Sequence, residues 1–155
     1  MQIATANFPK DHPVMECLGT IDELNSFLGD AKAALKDSSC ENQALEIIEG
    51  VQKDLYLLMA FLAKQSVEPG ISVDSLNPLI NHLKSELPAF SAFEIPGASP
   101  ASAKLHIART VCRRCERRLV SLELDKESKE PVLEYINRLS DLLFLMAVKT
   151  AVCKP

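Results

Sequence analysis

Residues 109–118 read RTVCRRCERR, which places five arginines and one glutamate in ten positions. Guanidinium groups bind phosphates and carboxylates through paired, charge-assisted hydrogen bonds. A row of them on one short segment therefore offers anion chemistry: holding a polyphosphate, or pairing with carboxylates at a contact between subunits. On a helix, at about 100° per residue, the segment sorts into faces. Ala101, Leu105, Ala108, Cys112 and Leu119 form an apolar stripe. His106, Arg109, Arg113, Glu116 and Arg117 lie directly beside it, while Lys104, Val111, Arg114 and Arg118 fall mostly on the far side. One arginine row thus borders the core seam, where an unpaired charge is costly.

Acceptors for these charges sit at helical spacing elsewhere. Asp22, Asn25, Ser26 and Gly29 share one face; Glu134, Asn137 and Asp141 share another, with Arg138 and Ser140 near it. Polar stripes beside apolar ones on three segments point to a polyanion site or a subunit interface. The same composition also fits a solvated helix with i,i+4 ion pairs. Cys112-x-x-Cys115 has metal or redox spacing, but without a second ligand pair the two read better as small core residues. His106, His12 and His82 each stand without a catalytic companion. No glycine-rich phosphate loop and no Ser/His/Asp spacing appears.

The elements that must position these residues are helical. Apolar residues recur at helical spacing almost throughout, and strand-like alternation is scarce. Long helices are expected at about 19–36, with Thr20 and Glu23 as a capping box, at 41–65, after Pro100 to about 124 with Ser99 before it, and at 131–152. A shorter piece covers 73–87 and stops at Pro88. The segment PAFSAFEIPGASP between Pro88 and Pro100 is expected to be an ordered loop that buries Phe90, Phe93 and Ile95. The fold class is all-α, a single-domain helix bundle over 1–155.

The bulk numbers agree. The 155 residues are 47% hydrophobic and 25% charged, enough for one core. A net charge of −4, from 17 basic and 21 acidic residues, disfavours a nucleic-acid partner. No apolar run reaches the roughly 18–20 residues of a membrane span. Five cysteines and no secretory signal suggest a reducing cytoplasm, or a mitochondrial matrix if a leading segment has been removed.

Four segments taken together resemble one family, the PduO-type ATP:cob(I)alamin adenosyltransferases. They are GTIDELNSFLG (19–29), QKDLYLLMAFLA (52–63), FEIPGASPASAKLHIARTVCRRCERR (93–118) and YINRLSDLLFLMA (135–147), in the family's order. The resemblance implies a bundle of about five helices, ferritin-like in type, assembled as a homotrimer with active sites between subunits. It implies transfer of the 5′-deoxyadenosyl group of ATP to cob(I)alamin, with Mg2+ assisting, giving adenosylcobalamin and triphosphate. A reductase or an adenosylcobalamin-dependent enzyme would be a further partner. Arg109 matches an arginine that pairs with an aspartate, here Asp22, across subunits. Arg113 matches an arginine on the ATP phosphates, with Arg114, Glu116 and Arg118 supporting that site. Asn137 matches an asparagine facing ATP. Phe93 matches the phenylalanine that packs under the corrin and leaves cobalt four-coordinate. No protein metal ligands are implied.

Two departures stand out. The family carries a Thr-Lys/Arg-Thr-Gly-Asp-x-Gly-x-Thr loop around the triphosphate, where this chain has MQIATANF before KDHP. Pro96-Gly97-Ala98 replaces the usual Pro-Gly-Gly. The first departure predicts weak ATP affinity and slow turnover. It also keeps open a non-catalytic member that binds cobalamin or a partner.

Overall fold

The computed structural model describes residues 8–36, 41–64, 66, 68–88 and 95–152. Five helices account for most of them: α1 (Pro13–Leu35), α2 (Glu41–Leu62), α3 (Asn77–Glu86), α4 (Pro100–Val120) and α5 (Lys126–Ala151), with a 3-10 turn at Val73–Ser75. Among the described residues there is no strand, as the all-α reading expects. Phe90, Phe93, Cys40 and Cys153 lie outside the described residues.

The helix starts follow local chemistry, and two differ from the sequence expectation. α1 begins six residues before Gly19, at Pro13, because His12 caps it: its Nδ1 accepts from the Val14 amide at 3.2 Å. Thr20 is therefore mid-helix and buried, its hydroxyl bonded back to the Glu16 carbonyl at 2.8 Å, so it is no N-cap. α5 begins at Lys126 rather than Pro131, since Asp125 Oδ1 accepts from the Ser128 amide at 2.9 Å. Pro131 sits in the second turn, where its missing N–H forfeits a single ladder bond. α4 starts as expected: Ser99 Oγ accepts from the Ser102 amide at 3.1 Å, with Pro100 in the first turn. α2 ends at Leu62, and Lys64 adopts the left-handed φ of 58° that usually favours glycine after a helix. The stretch expected at 73–87 is split at Leu76, ahead of Pro78 in the first turn of α3.

α4 lies between α1 and α5 and runs antiparallel to both; α2 packs on the other flank of α1, and α3 covers α5. The core holds Ile21, Leu24 and Leu28 from α1, Leu55 and Leu58 from α2, Leu105 from α4, and Tyr135 and Leu139 from α5. Tyr135 donates its phenol proton to Asp54 Oδ2 at 2.7 Å, tying α5 to α2. The α4–α5 hairpin is closed at both ends. Ser99 Oγ donates to the Thr150 carbonyl at 3.1 Å at one end. Lys129 Nζ donates to the Val120 and Leu122 carbonyls at 2.9 and 2.7 Å at the other.

Ile95 is 83% exposed, against the expected burial. It stands before Pro96, which restricts it to extended backbone, and Gly97 then turns at φ 119°. Among the described non-glycine residues only Lys64 has a positive φ, so Ala98 in place of a second glycine carries no strain. No helix among the described residues is long and apolar enough to cross a membrane.

Candidate functional site

The apolar stripe and the arginine row assigned to α4 hold, but Val111, expected on the far side with Lys104, Arg114 and Arg118, is buried, because that flank packs on α1. The apolar stripe Ala101, Leu105, Ala108, Cys112 and Leu119 is buried. On the flank toward α1, three cations form an antiparallel ladder: Lys104 with Asp30 at 2.5 Å, Arg114 with Glu23, and Arg118 with Glu16 at 3.2 Å. Glu16, Glu23 and Asp30 are seven residues apart, two turns each, and so share one face of α1. Arg114 and Arg118 also wall a polar cleft of about 360 Å³ with Glu16, Gly19, Thr20 and Glu23.

The flank toward α5 is different. Arg113 Nη1 lies 2.7 Å from Glu116 Oε2, and Asn137 Nδ2 donates to Glu116 Oε1 at 2.9 Å. The Arg113 side chain is 48% exposed and that of Glu116 20%, so this group forms an open edge. Arg117 Nη1 donates to the Arg113 carbonyl at 3.2 Å, and Arg138 pairs with Asp141 at 3.3 Å. One turn toward the start of α4, the Arg109 guanidinium lies 6.0 Å from the centre of the Phe144 ring, and its buried Nε has no hydrogen-bond partner. His106 is buried with its ring edge-on to Phe144 at 6.2 Å. The edge thus joins exposed hydrogen-bonding groups to an aromatic wall.

The structure therefore divides the residues predicted from sequence. Arg113, Glu116 and Asn137 come together, with Arg109 beside them. Arg114 and Arg118 face the opposite flank and are engaged by α1. Asp22 is exposed on the side of α1 turned toward α2, where the Asn25 carbonyl accepts from Gln52 Nε2 at 3.3 Å. Phe93 lies outside the described residues. Sequence reading missed Phe144, although it follows Asn137 by seven residues and so occupies the same face of α5.

The cysteines behave as core residues. Cys17, Cys112 and Cys115 are free and fully buried, and Cys112 Sγ donates to the Ile136 carbonyl at 3.3 Å. Burial pushes the Cys112 thiol well above its ordinary range. A hydrogen bond with Cys17, then burial, does the same for Cys115. Cys112 and Cys115 are thereby held protonated and unreactive. Among the described residues no group of His, Cys, Asp or Glu is arranged to hold a metal ion.

Fold and edge together define a helix-bundle protein that presents guanidinium and amide groups beside an aromatic side chain, a donor set whose chemistry suits an anion. Known proteins sharpen this. A sequence model for cobalamin adenosyltransferase matches residues 2–150. The corrinoid adenosyltransferase of Bacillus subtilis is 40% identical over 144 residues, covering 89% of this chain and 74% of that protein. The corrinoid adenosyltransferase PduO of Citrobacter freundii is 37% identical over 146 residues, covering 89% of this chain. The chain spans only 42% of that relative's length. A variant PduO-type ATP:corrinoid adenosyltransferase from Lactobacillus reuteri, solved with cobalamin and ATP, superposes with a TM-score of 0.77 at 30% identity. That match covers 90% of this chain and 81% of the other. The chain belongs to the cobalamin adenosyltransferase family.

Proposed function

We propose that this chain, as one helical domain over 1–155, transfers the 5′-deoxyadenosyl group of ATP to cob(I)alamin. The observation that carries the reading is the open α4–α5 edge, where Arg113 and Asn137 share Glu116 next to the Arg109–Phe144 pair. The cobalt of the corrinoid substrate supplies the electron pair. The C5′–oxygen bond of ATP breaks as the cobalt–carbon bond forms, and triphosphate leaves with the electrons of the broken bond. No protein nucleophile or general base is required, which suits a site without a catalytic dyad. What the chain must do is align the ribose with the corrin and stabilise charge on the leaving group.

Arg113 is assigned to the triphosphate and Asn137 to the nucleotide. Glu116 supports both. Arg114 and Arg118 are assigned to holding α1 against α4, a role their carboxylate partners favour. Phe93 is assigned to the corrin. Glu116 and Asp141 are already paired with arginines, and among the described residues no group of His, Cys, Asp or Glu is arranged to hold a metal ion. Mg2+ is therefore assigned to the triphosphate itself, and no step is routed through protein-held metal.

Arg109 and Asp22 are assigned to a salt bridge between subunits of a homotrimer, which would also close the open edge. A reductase or an adenosylcobalamin-dependent enzyme would exchange the corrinoid. A cytoplasmic setting suits three buried free thiols.

The test is an anaerobic transfer assay with cob(I)alamin and Mg-ATP, following loss of the cob(I)alamin absorption. Arg113→Ala is expected to lower the rate on the order of a hundredfold, the scale for removing one charge-stabilising donor. An unchanged rate would refute the assignment of Arg113. An inactive parent chain that still binds cobalamin would instead favour a non-catalytic family member.

A further inference from the structure

The end of the bundle away from Ser99 holds a cavity that the transfer reaction does not use. Its volume is about 590 Å³, within the range of small-molecule sites. Four helix ends converge on it: the starts of α1 and α5 and the ends of α2 and α4. Its walls come from the segment that enters α1, from residues 61–66 and from residues 121–125. Arg113, Glu116 and Asn137 are not among them. Arg113 stands about two turns back along α4.

The lining is apolar inside and sparsely charged at the rim. Val14, Leu62 and Leu122 are buried, while Phe8, Phe61 and Leu124 are half-buried and pack on the core. Among the described lining residues the one lysine or arginine is Lys64. Its Nζ stands 5.1 Å from the centre of the Phe8 ring, and Phe8 in turn stacks on His12 at 4.5 Å. Among the described residues no carboxylate pairs with Lys64. Its backbone lies in the left-handed region at φ 58°, where a side chain is strained and glycine is favoured. Strain of this kind collects at ligand clamps. Here it holds a long cationic side chain against an aromatic wall. His12 Nδ1 accepts from the Val14 amide, so its proton is on Nε2, which gives the wall an uncharged donor.

The charges select the ligand. Glu123 and Asp125 also line the cavity. Asp125 is engaged by the Ser128 amide, and Glu123 is exposed. Two carboxylates against one ammonium repel a polyanion, which disfavours a nucleoside triphosphate. A cationic ligand would need the Phe8 ring, and the Lys64 ammonium already covers it. One negative charge on an apolar body meets neither objection. Its head can pair with Lys64 while its body displaces water from the leucines and phenylalanines.

We infer that this cavity is a binding site for an apolar monocarboxylate, with Lys64 as the counter-ion and Phe8 and Phe61 as walls for the apolar body. The site is separate from the α4–α5 edge and does not depend on the nucleotide reading of that edge.

The experiment is calorimetric titration of the parent chain, Lys64→Gly and Lys64→Glu with decanoate, decanol and decyltrimethylammonium, each below its micelle concentration. The parent is expected to bind decanoate about tenfold more tightly than decanol, the worth of one charge-assisted hydrogen bond, and the ammonium amphiphile most weakly. Lys64→Gly should erase the preference for decanoate over decanol. Its thermal midpoint should equal or exceed that of the parent, because glycine relieves the left-handed backbone, so loss of binding there is not loss of the fold. Lys64→Glu should prefer the ammonium amphiphile. Saturating Mg-ATP should leave decanoate binding unchanged. Equal binding of all three amphiphiles by the parent, or no binding, would overturn the site. A decanoate preference that survives in Lys64→Gly would overturn the role of Lys64. Displacement of decanoate by Mg-ATP would put the carboxylate on the nucleotide edge and overturn the separation of the two sites.

Discussion

Asp22 and Arg109 stand on opposite flanks of the α1–α4 pair. Arg109 projects toward Phe144 of α5, whereas Asp22 is exposed on the side of α1 that faces α2. Among the described residues neither forms an ion pair, and the buried Nε of Arg109 lacks an acceptor. If the two belong together, as their places in the family motifs imply, they must come from different copies of the chain.

Arg109→Ala is then expected to weaken assembly, leaving Asp22 of a neighbouring copy uncompensated. Loss of one partner from a buried pair costs about 3–5 kcal/mol. Sedimentation across a dilution series reads this directly. The exchanged pair Asp22→Arg with Arg109→Asp should recover part of the loss. An Arg109→Ala chain that assembles like the parent would count against the bridge.

The cap of α5 carries a pH signature. The Ser128 hydrogen bonds hold the Asp125 carboxyl below its ordinary range. A depressed carboxyl contributes stability that is present above its unfolded value, near pH 4, and is lost as pH falls through the lower folded value. Thermal unfolding of Asp125→Ala should be shifted down at neutral pH, with the gap closing in acid. Asp125→Asn keeps a capping oxygen and should retain most of the stability without that pH dependence.

Tyr135→Phe removes the phenol that ties α5 to α2 and leaves the half-buried Asp54 carboxylate without that donor. Urea unfolding is expected to show a loss of about 1–3 kcal/mol. Burial, then the bond to Asp54, pushes the Tyr135 phenol far up. Its contribution is therefore complete below the ordinary tyrosine value, near pH 10, and declines only as pH rises beyond it. Alkaline titration followed by tyrosinate absorbance should show Tyr135 ionising only with unfolding.

Cys17, Cys112 and Cys115 should resist a thiol reagent in the folded chain and react together on denaturation, because all three are buried and the latter two are held protonated. Rapid labelling of Cys115 in the native state would contradict the packing of α1 on α4.

α4 was the most legible part of the sequence. Ser99 and Pro100 mark its start, and Ala101, Leu105, Ala108 and Cys112 mark its inner face. The starts of α1 and α5 were harder to read. Histidine is an unusual cap, so His12 gave little signal, and Pro131 resembled a first-turn proline although Asp125 had already opened the helix. At the site, helical angles separated the Arg113 row from the Arg114 row. They did not say which neighbour each row meets, since that depends on α1 and α5 lying on either side of α4. The split between the Arg113–Glu116–Asn137 group and the Arg114–Glu23 and Arg118–Glu16 pairs is a tertiary fact.

The bonds that close the α4–α5 hairpin at Ser99–Thr150 and at Lys129 make it a ruler. With both ends fastened, neither helix slides or rolls without breaking a tie. The gap between Arg113 and Asn137 is therefore set by chain length rather than by the ligand. One residue inserted into α5 between Lys129 and Asn137 would turn Asn137 by about 100° relative to the Lys129 tie, so the helix could keep that tie or its core face and the Glu116 contact, but not both. Divergence of this chain is expected to spare the residue count of the hairpin even where it changes the side chains along it.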